Sequence, residues 1–219
     1  MASPQPDYPH RQPVVPYRRL SARTAPADGS ALGYDRAMPA FDLLPWPTAL
    51  RASPARHVAG VMAAKGRHLH IDYRVTQAGD LTIPARSAAP SRRDNLWQGT
   101  CAELFVGAAD QHYREFNFSP SGDWAAYDFH DYRERAADLP VVLAPAIEVA
   151  CVDDQLTIAV RIACDDLPAP PAACRLGITL VLADGAGRLS YWALAHPAEK
   201  PDFHDRRGFI LPGTSLINP

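Results

Sequence analysis

Cysteine is scarce in this chain of 219 residues, and none of its cysteines shows CxxC spacing. The four are Cys101, Cys151, Cys164 and Cys174, and each lies within an apolar, strand-like run. That placement favours reduced, buried thiols over a zinc site or a framework of disulfides.

Long hydrophobic runs are also missing. No stretch approaches the roughly 18 apolar residues that a membrane helix needs. The opening segment, MASPQPDYPHRQPVVPYRRL, has no apolar centre of the kind found in signal peptides. A cytoplasmic protein without a membrane partner is therefore expected.

Charge of one sign is not in excess, because 22 Lys and Arg are set against 24 Asp and Glu, for a net charge of −2. Without a basic field the chain is not expected to bind nucleic acid. There is also no GxSxG elbow, no GxGxxG and no GxxxxGK[ST] loop. The sequence thus offers no support for a serine hydrolase or a nucleotide-binding enzyme.

Alternation of apolar and polar residues is what the chain has in quantity. Strand-like runs follow one another from His57 onward, and the clearest has Leu69, Ile71, Tyr73 and Val75 at alternate positions. No segment shows a sustained helical period. The pattern predicts an all-β fold, an antiparallel β-sandwich of the jelly-roll type with about nine or ten strands and little helix.

Proline divides the chain into two parts. Residues 1–40 hold many of the 22 prolines, along with Arg, Ser and Ala. Such a composition buries too little apolar surface to offset the entropy lost on ordering. A flexible tail is therefore predicted for residues 1–40, and a single ligand-binding sandwich domain for residues 41–219.

The stretch 93–133 carries most of the polar and aromatic residues. It divides into three predicted strands, about 96–106, 112–119 and 123–132, and we expect the second hairpin to place Glu115 opposite Asp128. One face of this sheet is then acidic and aromatic, with Tyr113, Glu115, Asn117, Trp124 and Glu103 of the preceding strand. A solvated face without a ligand is the alternative, but large exposed rings favour a binding site.

A second group of candidate residues lies near the C-terminus. In the predicted strand 189–196, Trp192 and His196 share one face, and the following loop contains Lys200, Asp202 and His204. Loops of this chemical density more often bind a ligand than merely connect strands. A charged surface loop is the alternative.

Two other functions could use these groups. His196, Asp202 and His204 could supply the three ligands of a metal-dependent hydrolase. The aromatic face around Trp124 could instead dock a protein partner.

The acidic residues leave two more alternatives open. Oxygens of Glu103, Glu115 and Asp128 could hold calcium. Glu103 and Glu115 could also form the carboxylate pair of a glycosidase, if they approach each other across neighbouring strands. Neither spacing is diagnostic, so simple binding is preferred.

Three segments carry a family resemblance: LWQGTCAELFVG, YREFNFSPSGDWAAYDF and SYWALAHPAEKPDFHDRRGFIL. Over residues 41–212 the chain resembles the DOMON-like, family 9 carbohydrate-binding-module type of domain. The resemblance implies a β-sandwich that binds a sugar, haem or another small ligand in a pocket on one sheet. By matching positions, the implied pocket residues are Glu103, Glu115, Asn117, Trp192, His196 and His204, with Trp97 and Trp124 as stacking platforms.

Two features depart from the pattern of that family. Extracellular sugar-binding modules are exported and usually attached to a hydrolase, whereas this sequence shows neither a signal nor a catalytic partner. Haem-binding relatives use a Met and a His as axial ligands, and Met62 is the only Met inside the predicted sandwich. No cofactor is therefore assigned; calcium is the first alternative and haem the second.

These observations predict a non-catalytic module that binds a carbohydrate or a similar small polar ligand on the concave face of the sandwich. The predicted ligand-binding residues are Arg93, Trp97, Glu103, Tyr113, Glu115, Asn117, Trp124, Trp192, His196, Lys200 and His204. No oligomeric state is predicted.

Overall fold

The computed structural model describes residues 39–47, 53–76, 78–138, 140 and 142–216. The predicted tail, residues 1–40, lies outside these ranges except for its last two residues. Ala40 is already part of the first strand.

The described residues form an antiparallel all-β sandwich, as predicted. Its twelve strands are β1 (Ala40–Pro45), β2 (His57–Lys65), β3 (His68–Thr76), β4 (Cys101–Gly107), β5 (Tyr113–Phe118), β6 (Trp124–Asp131), β7 (Glu134–Arg135), β8 (Ala146–Val152), β9 (Gln155–Ala163), β10 (Arg175–Ala183), β11 (Leu189–Ala193) and β12 (Leu211–Pro212). The strand count exceeds the predicted nine or ten, because β7 and β12 are two-residue strands, too short to show alternation.

Helix is limited to single turns in the described part of the chain. The 3-10 helices are Leu96–Gln98, Cys164–Asp166, Pro171–Ala173, Arg206–Gly208 and Gly213–Leu216. None of the described helices has the length and apolar character needed to cross a membrane.

The strands form two sheets that share β1. Sheet A has the order β8-β9-β3-β2-β1, and sheet B has the order β7-β6-β5-β4-β10-β11-β1, with β12 beside β10. The first part of β1 pairs with β2, where Leu43 lies opposite Val58. Its end pairs with β11, where Leu44 lies opposite Ala193. β1 thus passes from one layer to the other at its C-terminal end.

The main core lies between the two sheets. Alternate residues from each sheet point inward, as period-two alternation requires. Buried members include Ile71, Val75 and Ile158 of sheet A, and Leu104, Phe116, Ile178 and Leu180 of sheet B. Tyr73 joins the layers, because its fully buried hydroxyl donates to the carbonyl oxygen of Glu103 at 2.8 Å.

We expect Tyr73→Phe to lower the free energy of unfolding by about 1 kcal/mol, because it removes one buried hydrogen bond and leaves the ring in place. Urea denaturation measures the change. Tyr191→Phe is the matched control, since the Tyr191 hydroxyl makes no hydrogen bond to the described residues. Equal losses in the two variants would argue against a role for the bond between the sheets.

The predicted register of the β5–β6 hairpin is wrong by one residue. Glu115 lies opposite Tyr127, and Asp128 lies opposite Arg114. The turn explains the shift: the N–H of Ser119 donates to the carbonyl of Asp123 at 3.0 Å, so Pro120, Ser121 and Gly122 form a three-residue loop rather than one of two or four. A shift of one residue moves every side chain of β6 to the other face.

Candidate functional site

A cleft of about 620 Å³ lies on the outer face of sheet B, the face turned away from sheet A. Strand residues form its floor: Glu103, Phe105, Glu115, Tyr127, Phe129, Val181 and Tyr191. Loop and edge residues form its walls: Asp94, Asn95, Trp97, Arg133, Arg135, Lys200, Pro201, Phe203 and His204.

Alternation places the floor residues on that face. In β4, Ala102 and Leu104 belong to the main core, whereas Cys101 and Phe105 belong to a second apolar cluster on the outer face. This second cluster also contains Phe209 and is contacted by Phe203. Two apolar faces on one sheet mean that sheet B is covered on both sides, so polar groups on its outer face are shielded from bulk water.

Residues 200–209, the closing segment, provide this cover. Arg206 donates to the carbonyl oxygens of Ala108 at 2.7 Å and His112 at 3.4 Å, which ties the segment to the β4–β5 loop. Asp202 forms an ion pair with Arg133 at 2.8 Å. These contacts hold the segment along one side of the cleft.

Two buried glutamates are the main polar groups of the floor. Glu103 is 2% exposed and Glu115 is 6% exposed. Glu103 accepts a hydrogen bond from the Thr179 hydroxyl at 3.0 Å, and Glu115 Oε1 accepts one from the Asn117 amide at 2.7 Å. The structure therefore brings Glu103, Glu115 and Asn117 onto one face, as the alternation predicted.

Burial controls the protonation of both carboxyls. It raises the pKa of Glu115 to about 7, against the lowering effects of the Asn117 hydrogen bond and of the charges on Arg135 and Arg133. Burial and the nearby Glu115 raise the pKa of Glu103 well above its usual value. Both shifts favour the protonated forms of these carboxyls.

His204, on the cleft wall, adds a neutral polar side chain beside the floor. Burial, with a contribution from the charge of Arg133, lowers its pKa to about 4. The Tyr113 hydroxyl accepts from the backbone N–H of Arg133 at 3.1 Å and lies 2.9 Å from His204 Nδ1. If Tyr113 donates to Nδ1, the histidine proton is on Nε2, which faces Glu115 Oε2 at 3.7 Å.

The arginines of the cleft wall have their own partners. The guanidinium of Arg135 lies 3.9 Å from the centre of the Tyr127 ring and 3.8 Å from Asp94. Asp94 in turn accepts from the Tyr127 hydroxyl at 2.7 Å. Burial and Asp94 together raise the pKa of Tyr127, which keeps its phenol protonated.

Trp97 is the exposed aromatic side chain of the cleft wall, at 40% exposure. It lies in the 3-10 turn Leu96–Gln98, which follows Asn95 in the left-handed conformation with φ 63°. The strand predicted to start near Leu96 therefore starts only at Cys101. This turn directs the Trp97 ring toward the cleft instead of into a sheet ladder.

Seven of the predicted ligand-binding residues meet at the cleft. Five line it: Trp97, Glu103, Glu115, Lys200 and His204. Tyr113 and Asn117 are hydrogen-bonded to lining residues. The other four, Arg93, Trp124, Trp192 and His196, lie elsewhere.

Trp124 and Trp192 belong to the main core, not to the cleft. Trp124 is 8% exposed because the register shift turns it inward, where the guanidinium of Arg92 lies 5.7 Å from its ring. Trp192 is 2% exposed, and its indole N–H donates to the Ser190 hydroxyl at 3.3 Å. The alternation predicted for the last long strand holds, but Tyr191 and not Trp192 faces the ligand side.

His196 and Arg93 serve other contacts. β11 ends at Ala193, so strand alternation no longer applies to His196, whose Nε2 lies 2.9 Å from the Leu44 carbonyl oxygen. Its ring packs edge-on against Trp46 at 5.2 Å. Arg93 lies 3.4 Å from Asp123, next to the loop that leads to the cleft.

The structure assembles neither of the two alternative metal-ligand sets. Asp202 is bound by Arg133 and by the Tyr132 hydroxyl at 2.5 Å, and His204 by Tyr113, so neither joins His196. No cluster of three or more His, Cys, Asp or Glu side chains suited to a metal occurs among the described residues.

The calcium set fails because Asp128 forms a bidentate pair with Arg114, at 2.7 and 2.9 Å, instead of facing Glu115. Met62, the candidate haem ligand, is fully buried between the sheets and does not line the cleft.

Several cleft residues were not predicted: Asp94, Phe105, Tyr127, Phe129, Arg133, Arg135, Tyr191 and Phe203. The correct hairpin register would have found Tyr127 and Phe129, because both share the face of Glu115 once the turn has three residues. Phe105 shares the parity of Glu103 and could have been assigned with it. Nothing in the local pattern indicates that Phe203 folds back onto the sheet.

Comparison with known proteins supports the fold. No protein-family model and no curated protein sequence matches this chain. A candidate carbohydrate-binding protein from Bacteroides uniformis ATCC 8492 has a similar structure, with a TM-score of 0.58, 15% identity and coverage of 79% of this chain and 84% of that chain. At this identity the likeness shows a shared fold.

Two family 9 carbohydrate-binding modules from Caldicellulosiruptor kristjanssonii are more distant. The one in complex with glucose has a TM-score of 0.40 and 15% identity, and covers 74% of this chain and 81% of that chain. The one in complex with cellotriose has a TM-score of 0.39 and 14% identity, and covers 74% of this chain and 72% of that chain.

Proposed function

We propose that this protein is a non-catalytic binding module for a small polyhydroxylated ligand, a carbohydrate or a molecule of similar chemistry. The ligand binds in the cleft on the outer face of sheet B. One observation carries the proposal: the half-exposed ring of Trp97 lies beside a shielded floor that contains the hydrogen-bonding carboxyls of Glu103 and Glu115.

The chemistry of the cleft suits a sugar. A sugar ring has an apolar face, which stacks on an aromatic side chain, and a rim of hydroxyls that need directional partners. Trp97 offers the aromatic surface, and Tyr191 adds a second ring at the floor. Glu115 and the neutral His204 offer an acceptor and a donor within 3.7 Å of each other.

The comparisons support this proposal at the level of the fold. The Bacteroides uniformis protein with the same fold is itself a candidate carbohydrate-binding protein. The DOMON-like resemblance of the sequence points to the same class of small ligand. The site residues themselves are proposed from the geometry of the cleft alone.

A thermal-shift screen against mono- and oligosaccharides tests the function. A ligand at about 100 times its dissociation constant stabilises the folded state by about 2.7 kcal/mol, which gives a clear rise in Tm. Calorimetric titration of the saccharide with the largest shift then gives the dissociation constant. If no saccharide raises the Tm, the proposed function is wrong.

We expect Trp97→Ala to weaken saccharide binding about tenfold or more, because it removes the stacking surface at the mouth of the cleft. Trp97→Tyr should recover part of that loss, since it restores an aromatic face. Leu143→Ala, at an apolar side chain that is 71% exposed and does not line the cleft, is the control and should bind as the native protein does. Native affinity in Trp97→Ala would rule out stacking on this ring.

A further inference from the structure

The cleft floor contains a carboxyl oxygen that is open to the cleft and accepts no hydrogen bond from the described residues. Oε1 of Glu115 is bound by Asn117, but Oε2 makes no hydrogen bond within the described part of the chain. The nearest nitrogen is His204 Nε2, at 3.7 Å, which is too long for a hydrogen bond. The Glu115 side chain is 8% exposed and lines the cleft, so this oxygen is directed at the space where a ligand would bind.

No Arg or Lys in the described part of the chain forms an ion pair with the carboxyls of the floor. Arg133 is paired with Asp202 at 2.8 Å, and Arg135 lies over Tyr127. Lys200 is exposed at the edge of the cleft. Among the described residues, none of these cations lies within ion-pair distance of Glu103 or Glu115. The charges of Arg133 and Arg135 lower the pKa of Glu115 without forming an ion pair with it. The two neighbouring buried carboxyls therefore face the cleft without a direct cationic partner.

A carboxyl pair of this kind retains a proton unless a cation is supplied, because burial penalises the charged form and the two charges repel each other. A ligand ammonium group would replace that proton. It would balance one of the two carboxylate charges, as the proton does, and donate a charge-assisted hydrogen bond, which is shorter and stronger than a bond from a neutral hydroxyl. A neutral sugar could donate a hydrogen bond to this oxygen but could not balance the carboxylate charge.

We propose that the cleft prefers polyhydroxylated ligands that carry an ammonium group, such as amino sugars, with the ammonium donating to Glu115 and facing Glu103 while the ring lies against Trp97. This inference rests on the proposed function and specifies the ligand class of the same site.

Three trisaccharides of the same linkage provide the test. Cellotriose, fully deacetylated chitotriose and fully acetylated chitotriose carry a hydroxyl, an ammonium and an acetamide, respectively, at the same ring position. We expect calorimetric titration at a pH of about 7 to show that deacetylated chitotriose binds about tenfold more tightly than cellotriose. The acetylated form should not share this preference, because it has no charge.

Variants that remove the charge of one floor carboxyl test whether the ammonium preference arises at the floor. Glu115→Gln keeps the shape and the Asn117 contact, and should reduce the ratio between deacetylated chitotriose and cellotriose to about one to threefold. Glu103→Gln provides a second variant in case the first does not fold. Glu148→Gln removes one exposed negative charge from β8 of sheet A and should leave the ratio unchanged.

The outcomes separate the two proposals. Cellotriose binding that equals or exceeds that of deacetylated chitotriose would overturn the ammonium preference and leave the sugar-binding function intact. A tenfold preference that survives in both Glu115→Gln and Glu103→Gln would also overturn it, because the charge would then act from elsewhere. If none of the three trisaccharides binds, the ammonium preference is overturned together with the sugar-binding function on which it rests.

Discussion

Glu115→Gln should lose about 3 kcal/mol of stability, relative to the native protein, as the pH falls from about 7 to about 4.5. His204→Gln should show the opposite, a relative loss of about 3 kcal/mol as the pH rises from about 4 to about 6.5. The native protein should show neither trend from this pair of side chains.

The signs follow from the two pKa shifts. Glu115 has a pKa of about 7 in the folded state against 4.5 ordinarily, so the folded state binds more protons between these values. Its contribution to stability is complete below 4.5 and is lost as the pH rises through 7. His204 has a pKa of about 4 against 6.5, so the unfolded state binds more protons. Its contribution is complete above 6.5 and is lost as the pH falls through 4.

In the native protein the two dependences cancel over most of the range. Between about 4.5 and 6.5 the folded pair holds one proton, on Glu115, and the unfolded pair also holds one, on His204. Equal proton counts leave the free energy of unfolding independent of pH. Removing either side chain leaves the pH dependence that the other contributes to the free energy of unfolding uncompensated.

Urea denaturation at several pH values between about 4 and 7.5 measures these trends. Groups that do not interact with Glu115 or His204 titrate alike in every variant and cancel in the difference from the native protein. The double variant should be as flat as the native protein, and Glu148→Gln should follow the native curve. Single variants that run parallel to the native curve would show that Glu115 and His204 have ordinary pKa values in the folded state.

Asp123→Ala should lower the free energy of unfolding by about 3 kcal/mol and weaken ligand binding at the same time. Asp123 is 3% exposed and accepts hydrogen bonds from the Ser87 hydroxyl at 2.7 Å, the Ser91 N–H at 3.0 Å and the Ser121 hydroxyl at 3.0 Å. Removing the carboxylate leaves all three buried or half-buried donors without this acceptor, which is costlier than losing a single exposed bond.

Asp123 is expected to affect ligand binding through the loop that its hydrogen bonds hold in place. Ser87 and Ser91 lie in the segment that leads to Asp94 and Trp97 on the cleft wall. Burial raises the pKa of Asp123, but the hydrogen bonds from Ser87, Ser91 and Ser121 outweigh it and lower the pKa overall. The carboxylate is thus ionised and acts as a fixed acceptor for the loop. Without it the Trp97 ring loses its fixed position over the cleft.

Two controls separate the loop from a general loss of stability. Asp205→Ala removes a carboxylate whose partner among the described residues, Arg207, is only two residues away, and should cost less than about 1 kcal/mol without weakening binding. Asp123→Asn keeps one oxygen acceptor and should recover part of the loss. Urea denaturation gives the stability, and titration with the best saccharide of the screen gives the affinity. Native affinity in a destabilised Asp123→Ala would show that the loop does not position Trp97.

Sequence patterns predicted neither the position of the closing segment nor the length of the hairpin turn. Alternation identified β3 and the shared face of Glu115 and Asn117, because side-chain direction in a strand depends only on parity. It failed for Trp124 because one residue of turn length inverts parity for the whole following strand. It failed for His196 because β11 had already ended at Ala193.

The sequence by itself determined that the chain forms an antiparallel sandwich with carboxyls and aromatic residues on one face of a sheet, since both properties follow from local alternation and composition. Tertiary structure alone decided which rings those carboxyls meet. Tyr127 and Phe129 reach the cleft through the three-residue turn, and His204 reaches it because the closing segment packs its phenylalanines onto the outer face of sheet B. A one-residue difference in turn length does not change the alternation within either strand, and long-range packing depends on contacts between residues far apart in the chain. Local sequence patterns therefore predict neither.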